Sequence, residues 1–172
     1  LLHNMNETFF AYLHRLESIA FFSGYPMIYT IVFFITGNKP SKNKVKGKIF
    51  SLLPFSYALV GTLYLGLQLK NMYMDRSVES IDYLIQQPWL VGWGILAMIF
   101  WIPAIARKPL LSLLHSFVFF FFLIKDLFFQ MPSPVNDKSI IRNDMKLYTD
   151  SLLLNIATLI IIAVIYFLFD RF

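Results

Sequence analysis

The chain is 172 residues long, 58% hydrophobic and 15% charged, with a formal charge of +5 and no cysteine. That balance is too apolar for an ordinary water-soluble domain of this size. The missing thiols exclude disulfides, thiolate metal sites and cysteine nucleophiles. Five stretches with little or no charge, at 18–36, 49–69, 89–106, 110–130 and 151–169, absorb most of the apolar residues. Each is close to the roughly 20 residues a helix needs to cross the hydrocarbon layer. The connecting pieces are all shorter than the roughly 40 residues at which a domain begins to fold without staples. Residues 1–172 are therefore expected to form one all-α, polytopic integral membrane domain of five transmembrane helices. No soluble catalytic domain is expected.

The chain opens at Leu1 rather than Met, which leaves open whether residues precede it. Residues 1–17 carry Glu7, His14, Arg15 and Glu17 in place of a compact apolar core, which argues against a cleavable signal peptide. In the first span Gly24-Tyr25-Pro26 marks a candidate helix break, because proline deletes an amide donor. Broken helices of this kind line binding sites in many transporters, although proline is also common in membrane helices without that role. The loop 38–48 follows, with Lys39, Lys42, Lys44, Lys46 and Lys48 and no acid. Such a run can indicate nucleic acid. In a short tether between two spans it reads instead as a positive-inside signal and a contact with anionic lipid headgroups. No nucleic-acid partner is expected. With Arg107, Lys108 and Arg171 the same face collects eight bases against Asp170, so the N-terminus is expected outside and the C-terminus in the cytoplasm.

Span two carries Ala58, Thr62 and Gly66 at four-residue spacing, a small-residue face for close helix packing. Pro54 should kink it. The loop 70–88 is extracytoplasmic on this reading, and Val78, Ile81 and Ile85 within it suit a helix lying on the bilayer with Glu79 and Asp82 toward water. Span three holds Trp89, Trp93 and Trp101, with tryptophan at both interfaces and Pro103 as a further kink. Only Arg107-Lys108-Pro109 separates it from span four, and Pro109 suits the first position of a helix. Span four offers Ser112 and Ser116 as a second small-residue pair, followed by an aromatic run at 117–122 that covers every side of the helix. The second extracytoplasmic loop, 131–150, has helix-like patterning from residue 136, through Ile140, Ile141, Met145 and Tyr148, and is expected to run straight into span five.

The strongest functional lead is a layer of polar groups near the outer surface: Glu17, Gln68, Lys125, Asp126 and Asn155, on four different helices. Ionisable groups at such depth are costly and usually face a bundle interior or a cavity. Lys125 and Asp126 are neighbours about 100° apart around their helix, so at least one needs a partner on another helix, with Glu17 or Asn155 the choice for Lys125. The alternative is that Lys125 extends its stem toward the interface. The three histidines are His3, His14 and His115. His14 and His115 differ in depth by roughly 20 Å or more, too far to share one haem. His115, beside Ser112 and Ser116, is expected to be a hydrogen-bonded packing residue. No nucleotide loop, His-Glu-x-x-His helix or aspartyl pair occurs. Neither a cofactor nor a metal site is expected, and enzyme is the least favoured class.

Three functions are carried forward. The first is a non-catalytic integral subunit or scaffold of a larger membrane protein complex. The second is a small-solute or ion carrier, working as a homo-oligomer through the Gly24–Pro26 break and the outer polar layer. The third is a quinone- or lipid-binding electron-transfer anchor. A bacterial cytoplasmic membrane is the expected home, with the mitochondrial inner membrane as the alternative.

Overall fold

The computed structural model describes residues 20–36, 44–74, 88–130 and 138–169. These are helical except at 23–24, 102 and 107–108, and no strand occurs among the described residues. After one helical turn at 20–22 come α1 (Tyr25–Thr36), α2 (Lys44–Met74), α3 (Pro88–Leu96), a 3₁₀ segment (Ala97–Trp101), α4 (Pro103–Ala106), α5 (Pro109–Gln130) and α6 (Lys138–Phe169). Two helical stretches, Gly47–Lys70 and Tyr148–Phe169, are long and apolar enough to cross a membrane. Ala20–Thr36, Val91–Trp101 and Pro109–Phe122 are shorter apolar helices.

The prolines set where these helices begin and break. Pro109 opens α5, where a missing amide costs nothing. Pro103 does more than kink its stretch. It forces Ile102 into an extended conformation, φ −74° and ψ 117°, and starts a new short helix. Pro54, by contrast, lies inside α2, which continues through it as one element. Pro26 sits in the first turn of α1, immediately after the interruption at Ser23–Gly24. From Lys138 the patterned stretch is continuous with the apolar segment 151–169, giving a single helix of 32 residues.

Side-chain pairs fix the directions of the helices. Tyr64 meets Phe21, Tyr57 meets Tyr25 and Phe50 meets Tyr29, so the first helical stretch and α2 are antiparallel. Tyr64 lies against Gly94, Gly61 against Ala97 and Phe55 near Trp101, which makes the third stretch antiparallel to α2. Trp89 with Phe122 and Trp93 with His115 set α5 antiparallel in turn. The start of α2 meets the end of α6, with the Lys48 amine 5.2 Å from the Tyr166 ring centroid.

The core is aromatic. Phe22, Tyr25, Tyr57, Tyr64 and Phe119 are fully buried, with Phe22 stacked on Phe119 at 4.4 Å. Around it the usual partition of a water-soluble protein is inverted. On α6 the buried positions are Ser151, Asn155, Thr158 and Ile162, one stripe of helical spacing. The outward positions are Leu153, Ile156, Ile160, Ile161, Val164, Leu168 and Phe169, all exposed. Among the described residues the buried polar side chains are uncharged.

Gly24 is the tightest point. A Cβ there would lie 2.8 Å from the Leu152 amide nitrogen and the Ser151 carbonyl, which are backbone atoms unable to move aside. Gly66 has nothing within 4 Å of the same position. Gly24→Ala is therefore expected to destabilise by about 1–3 kcal/mol through overpacking, while Gly66→Ala stays close to neutral. Thermal unfolding of both variants in the same detergent checks this.

Candidate functional site

The break in the first helical stretch and the polar stripe of α6 meet. Ser23 and Gly24 interrupt the helix, which leaves backbone groups without intrahelical partners. Ser151 supplies one: the Gly24 amide donates to its Oγ at 2.9 Å, and the Ser23 hydroxyl donates to the same oxygen at 3.3 Å. Asn155, one turn later, donates from Nδ2 to the Phe21 carbonyl at 3.0 Å and to its own Ser151 carbonyl at 2.8 Å. Its Oδ1 is buried without a hydrogen-bond partner. A broken helix is thus closed by the side chains of another helix.

A second polar group lies across the aromatic core. The Tyr25 hydroxyl is 2.7 Å from Ser112 Oγ, and the Tyr57 hydroxyl is 2.8 Å from His115 Nδ1. Trp93 stacks flat on the His115 ring, 4.8 Å between centroids and 1° from parallel, while its indole N–H reaches the His115 carbonyl at 3.3 Å. Whichever ring nitrogen carries the hydrogen, His115 Nε2 has no partner. His115 packs as the sequence suggests, though its partners are Tyr57 and Trp93. Ser112 and Ser116 each donate to a carbonyl of their own helix, Pro109 and Leu113.

Of the proposed outer layer, the side chains of Gln68, Lys125 and Asn155 are described. Glu17 lies outside the described residues, as do His3, His14, Lys39, Lys42 and the amphipathic stretch through Val78, Ile81 and Ile85. Gln68 is buried, and its Nε2 lacks a partner. Lys125 and Asp126 fall in the closing turns of α5, with the Lys125 side chain exposed. Asn155 does not pair with Lys125, because its acceptor oxygen is unbonded and its donor belongs to Phe21 and Ser151. Asn155 and Lys125 are thus not joined directly.

The small-residue face of α2 also differs from the expected one. Ala58 is buried, and Thr62 accepts a 2.9 Å bond from the Trp101 indole, but Gly66 is exposed. The close approach falls one turn earlier and on another face, at Gly61, where a Cβ would lie 2.8 Å from that of Ala97. In the basic segment Lys44, Lys46 and Lys48 belong to the start of α2. No cluster of three or more His, Asp or Glu suited to a metal occurs among the described residues.

Ser23, Ser151 and Thr158 were not singled out in the sequence. Ser151, Asn155 and Thr158 do lie on one helical face, a signal hidden by the stronger apolar run around them. No family model, curated protein or solved structure matches the chain.

Ser151→Ala removes the acceptor of the Gly24 amide and should destabilise by about 0.5–2 kcal/mol, the low end being usual for hydrogen bonds between membrane helices. Tyr57→Phe should cost a similar amount by leaving His115 Nδ1 unpaired. Unfolding midpoints of the two variants, and near-unity additivity when they are combined, check both losses.

Proposed function

We propose that the chain is a non-catalytic integral subunit or scaffold of a larger membrane protein complex. It threads the bilayer five times, with the N-terminus outside and the C-terminus in the cytoplasm. The observation that carries the reading is how the helix break is filled. Gly24 is packed against the Ser151–Leu152 backbone and bonded to Ser151, so the break serves internal packing and leaves no space there for a solute. Large apolar side chains meanwhile remain uncovered on all the long helices, including Ile31 and Phe34 on α1, Phe117 and Phe121 on α5, and Ile160 and Ile161 on α6. A lipid or protein neighbour is the only surrounding in which that surface is not an aggregation liability.

The threading reading is supported by the antiparallel order of the first four stretches. Two of the stretches are interrupted: the first at 23–24, and the third by the 3₁₀ segment with Ile102. A 3₁₀ turn rises about 2.0 Å per residue, so residues 88–106 still reach roughly 30 Å if nearly collinear, the thickness of the hydrocarbon layer. The orientation rests on the lysines of 38–48. A bacterial cytoplasmic membrane is the proposed location, since that bias operates there.

A homo-oligomeric carrier is the second reading. The buried, unpartnered Gln68 Nε2 and Asn155 Oδ1 favour it, since orphaned polar atoms are what a polar solute would bond.

Because the chain has no cysteine, single thiols report topology without background. Lys42→Cys should label only from the cytoplasmic side and Ser133→Cys only from outside; labelling of both from one side would overturn the threading. A photoreactive residue at Ile161 should give one discrete adduct with a different membrane protein of fixed mass. A homo-oligomer that catalyses solute uptake into proteoliposomes, and loses it on Asn155→Ala, would replace the subunit reading with the carrier.

A further inference from the structure

One cavity lies apart from the buried polar network. It is an open groove of about 610 Å³ between α2, the 3₁₀ segment with α4, and α6, lined by Ser51, Phe55, Trp101, Arg107, Ile162 and Tyr166 among others. That volume lies within the roughly 300–1,000 Å³ of small-molecule sites. The groove is polar at one end and apolar along its length. Phe55, Trp101 and Ile162 form the apolar part, and from Ile162 to Phe169 it follows α6 for about 10 Å.

Charge decides what such a groove suits. Arg107, the residue capping α4, lines it and is exposed, and Lys108 follows directly. The Lys48 amine lies over the ring of Tyr166, itself a lining residue. Among the described residues that line the groove there is no carboxylate. In sequence the lysines of 38–48 lead into the same end of α2.

We propose that this groove is a binding site for an anionic phospholipid. One acyl chain lies along Phe55, Trp101 and Ile162, and the phosphate sits at Arg107, with Lys48 and Lys108 adding to the field. The guanidinium fits a phosphate because its N–H groups can engage two oxygens at once. An apolar ligand without charge would leave the basic end unused, and a free phosphate would leave the apolar length empty. The site differs from the diffuse headgroup attraction of a lysine-rich loop, since it holds one lipid in a defined place. It rests on the proposal that the chain spans a membrane, which the thiol labelling tests separately.

The experiment is native mass spectrometry of the full chain, purified from mixed vesicles of phosphatidylglycerol and phosphatidylcholine. The wild type should retain one phosphatidylglycerol. Arg107→Gln should lower its retention by roughly fivefold, the factor one basic residue adds near a membrane surface. Ile165→Trp, which fills the groove from a half-exposed lining position, should abolish it. Lys108→Gln, outside the lining, should retain at least half. Helix content by circular dichroism identifies any variant that has unfolded, and Ser51→Phe then serves as the second groove-filling variant. Equal retention of both lipids unaffected by Arg107→Gln would overturn the headgroup assignment. Retention undiminished by the groove-filling variants would overturn the acyl seat. A lipid-free dimer that Ile165→Trp dissociates would make a second copy the occupant and end the proposal, even if thiol labelling upholds the membrane reading.

Discussion

The hydrogen bond from the Gly24 amide to Ser151 Oγ is the contact on which the rest of the bundle depends. A helix interrupted away from water leaves amides and carbonyls with nowhere to turn, and each such group costs several kcal/mol in hydrocarbon. Ser151 answers for the amide and Asn155 for the Phe21 carbonyl. The absence of a Cβ at Gly24 lets the two backbones come close enough for both bonds. Phe22 and Tyr25 flank this point, so the same contact delivers them into the core, where they meet Tyr57, Tyr64 and Phe119. Removing α6 from this position would therefore expose an unsatisfied backbone and unseat the aromatic core together.

The buried hydroxyls elsewhere follow a different logic. Ser56, Ser112, Ser116 and Thr158 all donate to carbonyls three residues earlier in their own helices. That arrangement satisfies them locally and lets them act as small side chains in a tight interior. Their burial is thus no sign of a polar site. The exceptions are Gln68, Asn155 and His115, which each retain one buried polar atom without a partner. His115 is held by Tyr57 at one nitrogen and by the face of Trp93.

Much of the helical layout was legible from local chemistry. Pro109 at a helix start, an interruption at Gly24–Pro26 and a disturbance at Pro103 each follow from a missing amide or a missing side chain, which need no knowledge of the partner. Pairings between distant residues were not legible. Nothing local distinguishes Gly61 from Gly66, since both are small residues in an apolar run, and only the position of Ala97 selects the first. Asn155 was visible as an out-of-place polar residue, yet its partner is a backbone carbonyl 134 residues away, a group that every residue possesses. The groove was equally invisible, because it arises from three segments meeting.

The short third stretch shows how one proline reshapes an apolar helix in this chain. Pro103 needs an extended residue before it, and Ile102 meets that need. The five residues before Ile102 wind more tightly, with the Ile102 amide closing onto the Ile99 carbonyl at 3.0 Å. This keeps the interrupted backbone bonded within its own segment, which is the condition for irregular structure at membrane depth. The same detour turns Trp101 toward α2, where its indole binds Thr62 and its ring forms one wall of the groove. A regular helix through 88–106 would rotate Trp101 and Arg107 to other faces. The proline that spoils the helix is thus the reason an arginine and an apolar wall share one opening.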